Sequence, residues 1–344
     1  MRAFSVRARG TLGRVVDAVA EATVVVGFTR AGIELRRRLG NWDDPPAMRG
    51  QVVVVTGASS GIGLAAAVAM ARLGASVHLV GRDPERAARA RAAVGAAGAA
   101  HVGLDLVDLT DPDAVAALAL RLIERYEHLN VLVHSAGALS RDRKTTKTGT
   151  EVTVATQVLA PYVLTASLAP ILWQSSPASI VTVSSGGMYT QRFDLDALEM
   201  APEDYDGTVA YARCKRAQVV LAKAWAQRFG PAGVASYSMH PGWANTPGLK
   251  DGLPRFAAVM RPLLRTPGEG ADTVVWLAAG GARTPACSGR LRPLGSGFFH
   301  DRRERPDHRF PFSSSSAPGE EEALLSWCAH RTGIATPFPP STLA

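Results

Sequence analysis

The stretch Val52-Val53-Val54-Val55-Thr56-Gly57-Ala58-Ser59-Ser60-Gly61-Ile62-Gly63 reads as a buried strand, a glycine turn and the opening of a helix. Four β-branched residues in a row favour a strand covered on both faces, as in a parallel sheet. Gly57 permits the tight turn, Gly61 lets backbone approach a ligand, and Gly63 lets helix and sheet pack closely. Free N–H groups at the helix start attract an anion, so Ser59, Ser60 and Ile62 join the glycines as candidate contacts of a dinucleotide pyrophosphate.

Outward from this turn, short β-branched runs keep alternating with alanine-rich helical ones. Strands are expected at Val77 to Val80, His101 to Leu104, Leu129 to Val133, Ile180 to Val183 and Val234 to Met239, with Phe298-Phe299 as a seventh. Between them helices are expected from Pro84 to Ala97, from Pro112 with Asp111 as its cap, from Thr150 to Trp173 and from Thr208 to Phe229. Strand-helix alternation implies right-handed crossovers, hence an α/β fold: a doubly wound, mostly parallel sheet of Rossmann type in three α/β/α layers. The division expected is a basic amphipathic extension over 1–48, the main domain over 49–300 with a substrate lid at 247–265, and a tail over 301–344. That tail carries a serine run at 313–316 and a short helix opening at Glu320-Glu321-Glu322.

Composition narrows the function classes. With 344 residues, 47% hydrophobic and 20% charged, the chain suits a globular protein with a substantial core. Its net charge of +8 points to an acidic partner such as nucleotide phosphate or anionic lipid. Cys214, Cys287 and Cys328 form no CxxC pair, which argues against a zinc site or disulfide framework and for a reducing, cytoplasmic compartment. The longest apolar run, Val15 to Phe28, is interrupted by Asp17 and Glu21 and falls short of a membrane span. The basic extension therefore reads as a helix packed on the outside of the domain or lying on an anionic membrane surface. Nucleic-acid binding is not expected, because the basic residues are few and lack interleaved aromatics.

A second constellation carries chemistry. Tyr211 and Lys215 are one helical turn apart and project from the same face, so a lysine ammonium can lie near the phenol and bring its ionisation closer to neutral pH. Ser184-Ser185 closes the fifth strand at the sheet edge where open α/β folds bind ligands. A hydroxyl there can polarise a carbonyl while the tyrosine moves the proton. At the end of the second strand Arg82 offers a charge-assisted clamp to a ribose 2′-phosphate, which favours NADP(H) over NAD(H), although acidic Asp83 follows it.

Gly57/Gly61/Gly63 with Tyr211 and Lys215 resembles the short-chain dehydrogenase/reductase superfamily, over roughly Gln51 to Ala279. The resemblance implies a hydride-transferring oxidoreductase acting on a carbonyl or alcohol, with Tyr211 as general acid/base, Ser185 as the catalytic serine and Lys215 on the nicotinamide ribose. It further implies Asp105 and Leu106 at the adenine pocket, Ser135, Ala136 and Gly137 along the cofactor, and Pro241, Gly242 and Thr246 at the nicotinamide carboxamide and phosphates. Relatives often pair through two long helices, so a homodimer is a candidate assembly. Two departures stand out: His134-Ser135-Ala136-Gly137 replaces the usual Asn-Asn-Ala-Gly, and Gln157 replaces the helix asparagine that supports a proton-relay water. They motivate an alternative, a cofactor-binding regulatory or scaffold protein with weak turnover. Trp243, Leu249, Leu253, Phe256 and Met260 favour an apolar, lipid-like substrate over a sugar. The acidic segment from Gly186 to Thr208 is expected to form a substrate-side flap.

Overall fold

The structure is a computed structural model that describes residues 24–40, 42–137, 139–283, 295–310 and 318–339. Most of the basic extension's apolar run, Cys287 and the serine run 313–316 lie outside the described residues. Seven strands are parallel, in the order β3-β2-β1-β4-β5-β6-β7: β1 (Val52–Thr56), β2 (Ser76–Gly81), β3 (Val102–Leu106), β4 (Val131–His134), β5 (Ala178–Val183), β6 (Val234–Met239) and β7 (Ser296–His300). Strand order reverses beside β1, so the glycine turn lies at the topological switch point where such sheets bind ligands. An eighth strand, β8 (Arg303–Arg305), joins antiparallel to β7 through a two-residue turn. Its all-charged sequence gives no apolar alternation to read. The turn residues Asp301 and Arg302 both have positive φ (51° and 55°), the twist a two-residue hairpin needs.

Helices cover both faces. On one side lie α3 (Gly61–Arg72), α4 (Pro84–Ala96) and α11 (Pro267–Ala278), closing over Val53, Val55 and Val77. On the other lie α5 (Pro112–Arg125), α6 (Ala160–Ser167), α7 (Ala169–Gln174), α8 (Gly207–Phe229) and α12 (Glu320–Thr332), closing over Val54. Val53 and Val55 fall on one face and Val54 on the other because side chains alternate along a strand. Asp111 caps α5 by accepting from the N–H groups of Asp113 and Ala114, and Asp206 caps α8 in the same way.

The single helix expected from Thr150 to Trp173 is broken. A short turn, Val152–Val154, leads into a wide π turn at Ala155–Leu159, then α6, then α7. Prolines account for the interruptions. Pro161 has no N–H to give the carbonyl of Gln157 four residues back, and Pro170 has none for Ala166.

Both ends of the described chain fold back on the sheet. α12 lies across α8 and α6 with Leu324, Leu325 and Cys328 buried in the main core, and the Tyr162 hydroxyl donates to the carbonyl of Ile334 (2.9 Å). At the other end α1 (Val24–Phe28) and α2 (Arg30–Gly40) bury Phe28 and Ile33, and α9 (Pro247–Gly252) and α10 (Pro254–Met260) occupy the expected lid.

Candidate active site

Strand register sets the site. Thr56 pairs with His134, His134 with Thr182, and Thr182 with Ser238, so the residues that follow these strands emerge side by side along one sheet edge. Thr56, quoted in the glycine motif without a role, proves to be a clamp: its hydroxyl accepts from the N–H groups of Ser135 (3.2 Å) and Ala136 (3.4 Å). That draws the segment after β4 against the glycine turn. A Cβ on Gly57 would sit 2.7 Å from Ala136 Cα, and one on Gly63 would sit 2.4 Å from the Gly57 carbonyl oxygen. Gly61 has positive φ (56°), with Thr246 Cγ2 the nearest atom to an added Cβ at 3.3 Å.

Ser60 stands at the start of α3 without its side chain capping the helix, which leaves the first N–H groups for an anion. Uncapped donors above a turn that admits only glycine fit a dinucleotide pyrophosphate. Ser59 Cβ lies 3.5 Å from a Cβ built on Gly81, which places Ser59 beside exposed Arg82. Asp83 is occupied elsewhere: its carboxylate accepts from Arg86 N (2.8 Å) as the cap of α4, the hydrogen bond that foremost holds its pKa low.

Asp105 sits near the end of β3 with its carboxylate engaged. Its carboxylate is held by Arg121 (2.9 Å), Arg125 (3.0 Å) and His78 (3.0 Å), on the α5 side of the sheet. An Asp that closes a strand can face either layer, and here the arginines of α5 decide it. Leu106 pairs with Gly81 in register and is half exposed at the strand end. Beyond it Val107 donates to the Gly81 carbonyl (2.8 Å), and Asp108 stands next in the loop, its Oδ1 accepting from Thr110 N (3.0 Å).

Ser185 and Tyr211 meet. The Ser185 hydroxyl stands close enough to the Tyr211 phenol to pull its pKa down, and Ser185 Oγ accepts from Gly187 N (3.2 Å), which fixes its rotamer. Neighbouring Ser184 is structural, donating to the Lys215 carbonyl (2.7 Å) and so fastening α8 to the end of β5. Lys215 Nζ lies 5.4 Å from the centre of the Tyr211 ring. The expected lowering of the phenol pKa is not found. Burial pushes Tyr211 up to about 12, against the opposing pull of the neighbouring Ser185 hydroxyl, and burial pushes Lys215 down to about 7. Desolvation outweighs the pairing because neither group has an ionic partner.

Lys215 Nζ donates instead to the Val183 carbonyl (2.9 Å) and to Gln218 Oε1 (3.0 Å), while Gln218 Nε2 donates to the Gln157 carbonyl (2.8 Å). Gln157 is fully buried and its amide rests against Gly137, where an added Cβ would lie 2.9 Å from Oε1. The longer side chain thus fits because position 137 is glycine. His134 donates to or accepts from Thr165 Oγ1 (2.9 Å), a packed histidine that burial pushes down to about 3. His240 stacks on His300 at 3.7 Å. Among the described residues no group of three or more His, Cys, Asp and Glu converges as metal ligands would.

The wall beside Ser185 joins Trp243 and Phe256, expected on the substrate side, to Phe28, which carried no readable signal. Phe28 of α1 lies 2.5 Å from a Cβ built on Gly186, and edge-on to Trp243 at 5.8 Å; Trp243 in turn meets Phe256 of the lid at 5.1 Å. A buried ionic hub holds this wall. Arg265 grips Asp301 with two bonds (2.6 and 2.8 Å) and donates to the carbonyls of Pro241 (3.2 Å), Gly27 (2.8 Å) and Thr29 (3.2 Å). Arg36 of α2 adds a third bond to Asp301 (2.5 Å). The acidic segment after Gly186 is anchored to the domain: Leu198 is buried, Glu199 pairs with Arg331 (2.5 Å), and Arg213 donates to the Ala197 carbonyl (2.7 Å).

A dinucleotide turn at the switch point, with a serine, tyrosine and lysine along the same edge, defines an NAD(P)-dependent oxidoreductase acting between CH–OH and C=O. A sequence model of the family described as short chain dehydrogenase matches residues 51–253. Human Dehydrogenase/reductase SDR family member 12 is 40% identical over 280 residues, 80% of this chain and 84% of the relative. Mouse Retinol dehydrogenase 11 is 32% identical over 237 residues, 67% of this chain and 73% of the relative. Among solved structures, a short chain dehydrogenase from Burkholderia cenocepacia in complex with NADP is 25% identical with a TM-score of 0.58, covering 74% of this chain and 98% of that one. The chain belongs to the short-chain dehydrogenase/reductase family.

Proposed function

We propose that the chain is an NADP(H)-dependent oxidoreductase of a hydrophobic, lipid-like carbonyl or alcohol, with Tyr211 as its general acid/base. The observation that carries this reading is the approach of the Ser185 hydroxyl to the Tyr211 phenol, with Lys215 Nζ 5.4 Å from the phenol ring, at the edge shared with the glycine turn. Ser185 would hold the substrate oxygen and Tyr211 would exchange its proton. A phenol pushed up to about 12 stays protonated through neutral pH, which supports work as an acid in carbonyl reduction. The dinucleotide, when bound, supplies or accepts the hydride. Gly57, Ser59, Ser60, Gly61, Ile62 and Gly63 would hold its pyrophosphate. Ser135 to Gly137, Pro241, Gly242 and Thr246 would flank the nicotinamide half, with Lys215 toward its ribose.

For the 2′-phosphate we assign Arg82 beside Ser59. Asp83, spent as a helix cap, is a poor rival for a ribose hydroxyl, which favours NADP(H). For the adenine edge we keep Asp105 and Leu106, at the end of β3 where Leu106 pairs with Gly81. An apolar substrate is supported by the wall of Phe28, Trp243 and Phe256. Exposed Val26, Val259 and Leu263, with exposed Arg255 and Arg261, form an edge suited to an anionic membrane surface near the lid. Cosedimentation with phosphatidylserine vesicles, lost on Val259→Glu, checks that contact. Pairing through the long helices is disfavoured, because α12 covers the outer face of α8.

Tyr211→Phe tests the core of the reading. Turnover of apolar ketones or aldehydes should fall by about a thousandfold or more, while NADPH binding survives. Retained turnover would sink it.

A further inference from the structure

One buried side chain touching the proton-transfer group is unaccounted for by the resemblance. Gln218 lies one turn beyond Lys215 on α8, is 1% exposed, and spends both ends of its carboxamide inward. Oε1 accepts from Lys215 Nζ (3.0 Å), and Nε2 donates to the carbonyl of Gln157 (2.8 Å). That carbonyl can take a donor from outside its helix because Pro161 supplies none and the π turn at Ala155–Leu159 opens the ladder. In the pattern the sequence resembles, a water bridges the helix residue and the lysine.

We infer that Gln218 is a positioning residue that joins Lys215 to the Gln157 carbonyl directly, so that the lysine is aimed and tuned by a side-chain amide. Three observations converge on it: two hydrogen bonds of normal length, near-complete burial, and a proline placed to free the acceptor. An amide suits the task. It gives the ammonium an acceptor dipole without a full counter-charge, so the lysine stays titratable near neutrality; a carboxylate at the same place would hold it protonated.

The groups that meet the Lys215 ammonium are few. Val183 O and Gln218 Oε1 accept from it, the Tyr211 ring lies 5.4 Å away, and Cys214 adjoins it on α8; Ser184 reaches only its backbone carbonyl, and Arg216 turns away toward Asp307 and His308. Among the described residues no carboxylate pairs with Lys215. Burial outweighs everything else around it and pushes the lysine down to about 7, and buried Cys214, itself pushed upward, opposes that weakly.

The inference rests on the proposed role of Lys215, and its test does not need turnover. The chain's lysines are Lys144, Lys147, Lys215, Lys223 and Lys250, few enough for each side-chain signal to be followed by carbon-13 NMR, with Lys215→Met assigning the one of interest. In the wild-type protein the Gln218 side-chain amide signals should move with the Lys215 titration. Gln218→Leu should lower the Lys215 midpoint by about one pH unit, and Gln218→Glu should raise it by at least as much. Activity should follow in kcat and its pH profile, with KM little changed.

A merely structural glutamine predicts lost stability in both variants, no movement of the Lys215 midpoint in either, and amide signals indifferent to pH. Any folded variant with an unshifted midpoint, or a wild-type amide that ignores the titration, overturns the link. Should Gln218→Leu fail to fold, Gln218→Glu and the wild-type signals still decide it. A link confirmed in a protein that reduces no carbonyl would refute the enzymatic reading and leave the link standing.

Discussion

Arg265 and Lys215 are both buried cations, and they are kept in opposite ways. Arg265 is met by a carboxylate, Asp301, in a two-pronged bond, and by three backbone carbonyls. Lys215 is met by one carbonyl and one amide. The first arrangement cancels charge and fixes geometry; the second leaves the charge poised, so a proton can come and go. Burial with a counter-ion builds architecture, whereas burial without one builds a titrating group.

The sharpest way to break this contrast is to remove both charges in turn. Lys215→Met should cut turnover by about a thousandfold yet leave stability within about 1 kcal/mol of wild type, since an uncompensated buried ammonium is lost. Arg265→Met should do the reverse in stability, costing about 3 kcal/mol in urea unfolding because Asp301 is left with Arg36 alone. If the lysine variant unfolds as readily as the arginine one, the distinction fails. An exposed cation gives the next largest effect. Arg82→Ala should weaken NADPH binding about tenfold or more relative to NADH, measured by fluorescence titration, with no change in unfolding.

The last test reads the same contrast through pH. The unfolded chain protonates Lys215 below about 10.4, while the folded chain does so only below about 7. Between these values the unfolded state holds the extra proton, so this group's contribution makes stability rise with pH, and Lys215→Met should flatten the rise. On the acid side, His78 and His134 are pushed down to about 4 and about 3. The unfolded chain takes up those protons near 6.5, so stability should fall as pH drops from there toward 4, read by urea unfolding at fixed salt.

The cofactor half of the molecule was legible because its rules are local. A valine run and three spaced glycines specify strand, turn and helix start within a dozen residues, and Asp111 and Glu320 announce helices through their own caps and charges. The substrate half depends on distance. Nothing near Phe28 in the chain says that it will back Gly186, and Asp301 binds partners 36 and 265 residues away. The arginine partners of Asp105 could not be read, because strand-end polarity does not say which helix layer supplies them. Gln218 had a readable cue that was missed: Pro161 stands four residues after Gln157, leaving an acceptor to be satisfied. The tyrosine-lysine spacing located the proton-transfer group but not its energetics, since desolvation belongs to the assembled interior.

The turn between β7 and β8 is only two residues long, yet it grips in both directions. Asp301 holds α2 through Arg36 and the end of the lid through Arg265, and Arg302 reaches outward to Asp272 (2.7 Å) and the ring of Trp42. It acts as a rivet through several plates. Loosening it would free the amino-terminal arm and the substrate wall together, so heat tolerance and substrate range in this protein are fastened at one point and should drift in concert as its sequence diverges.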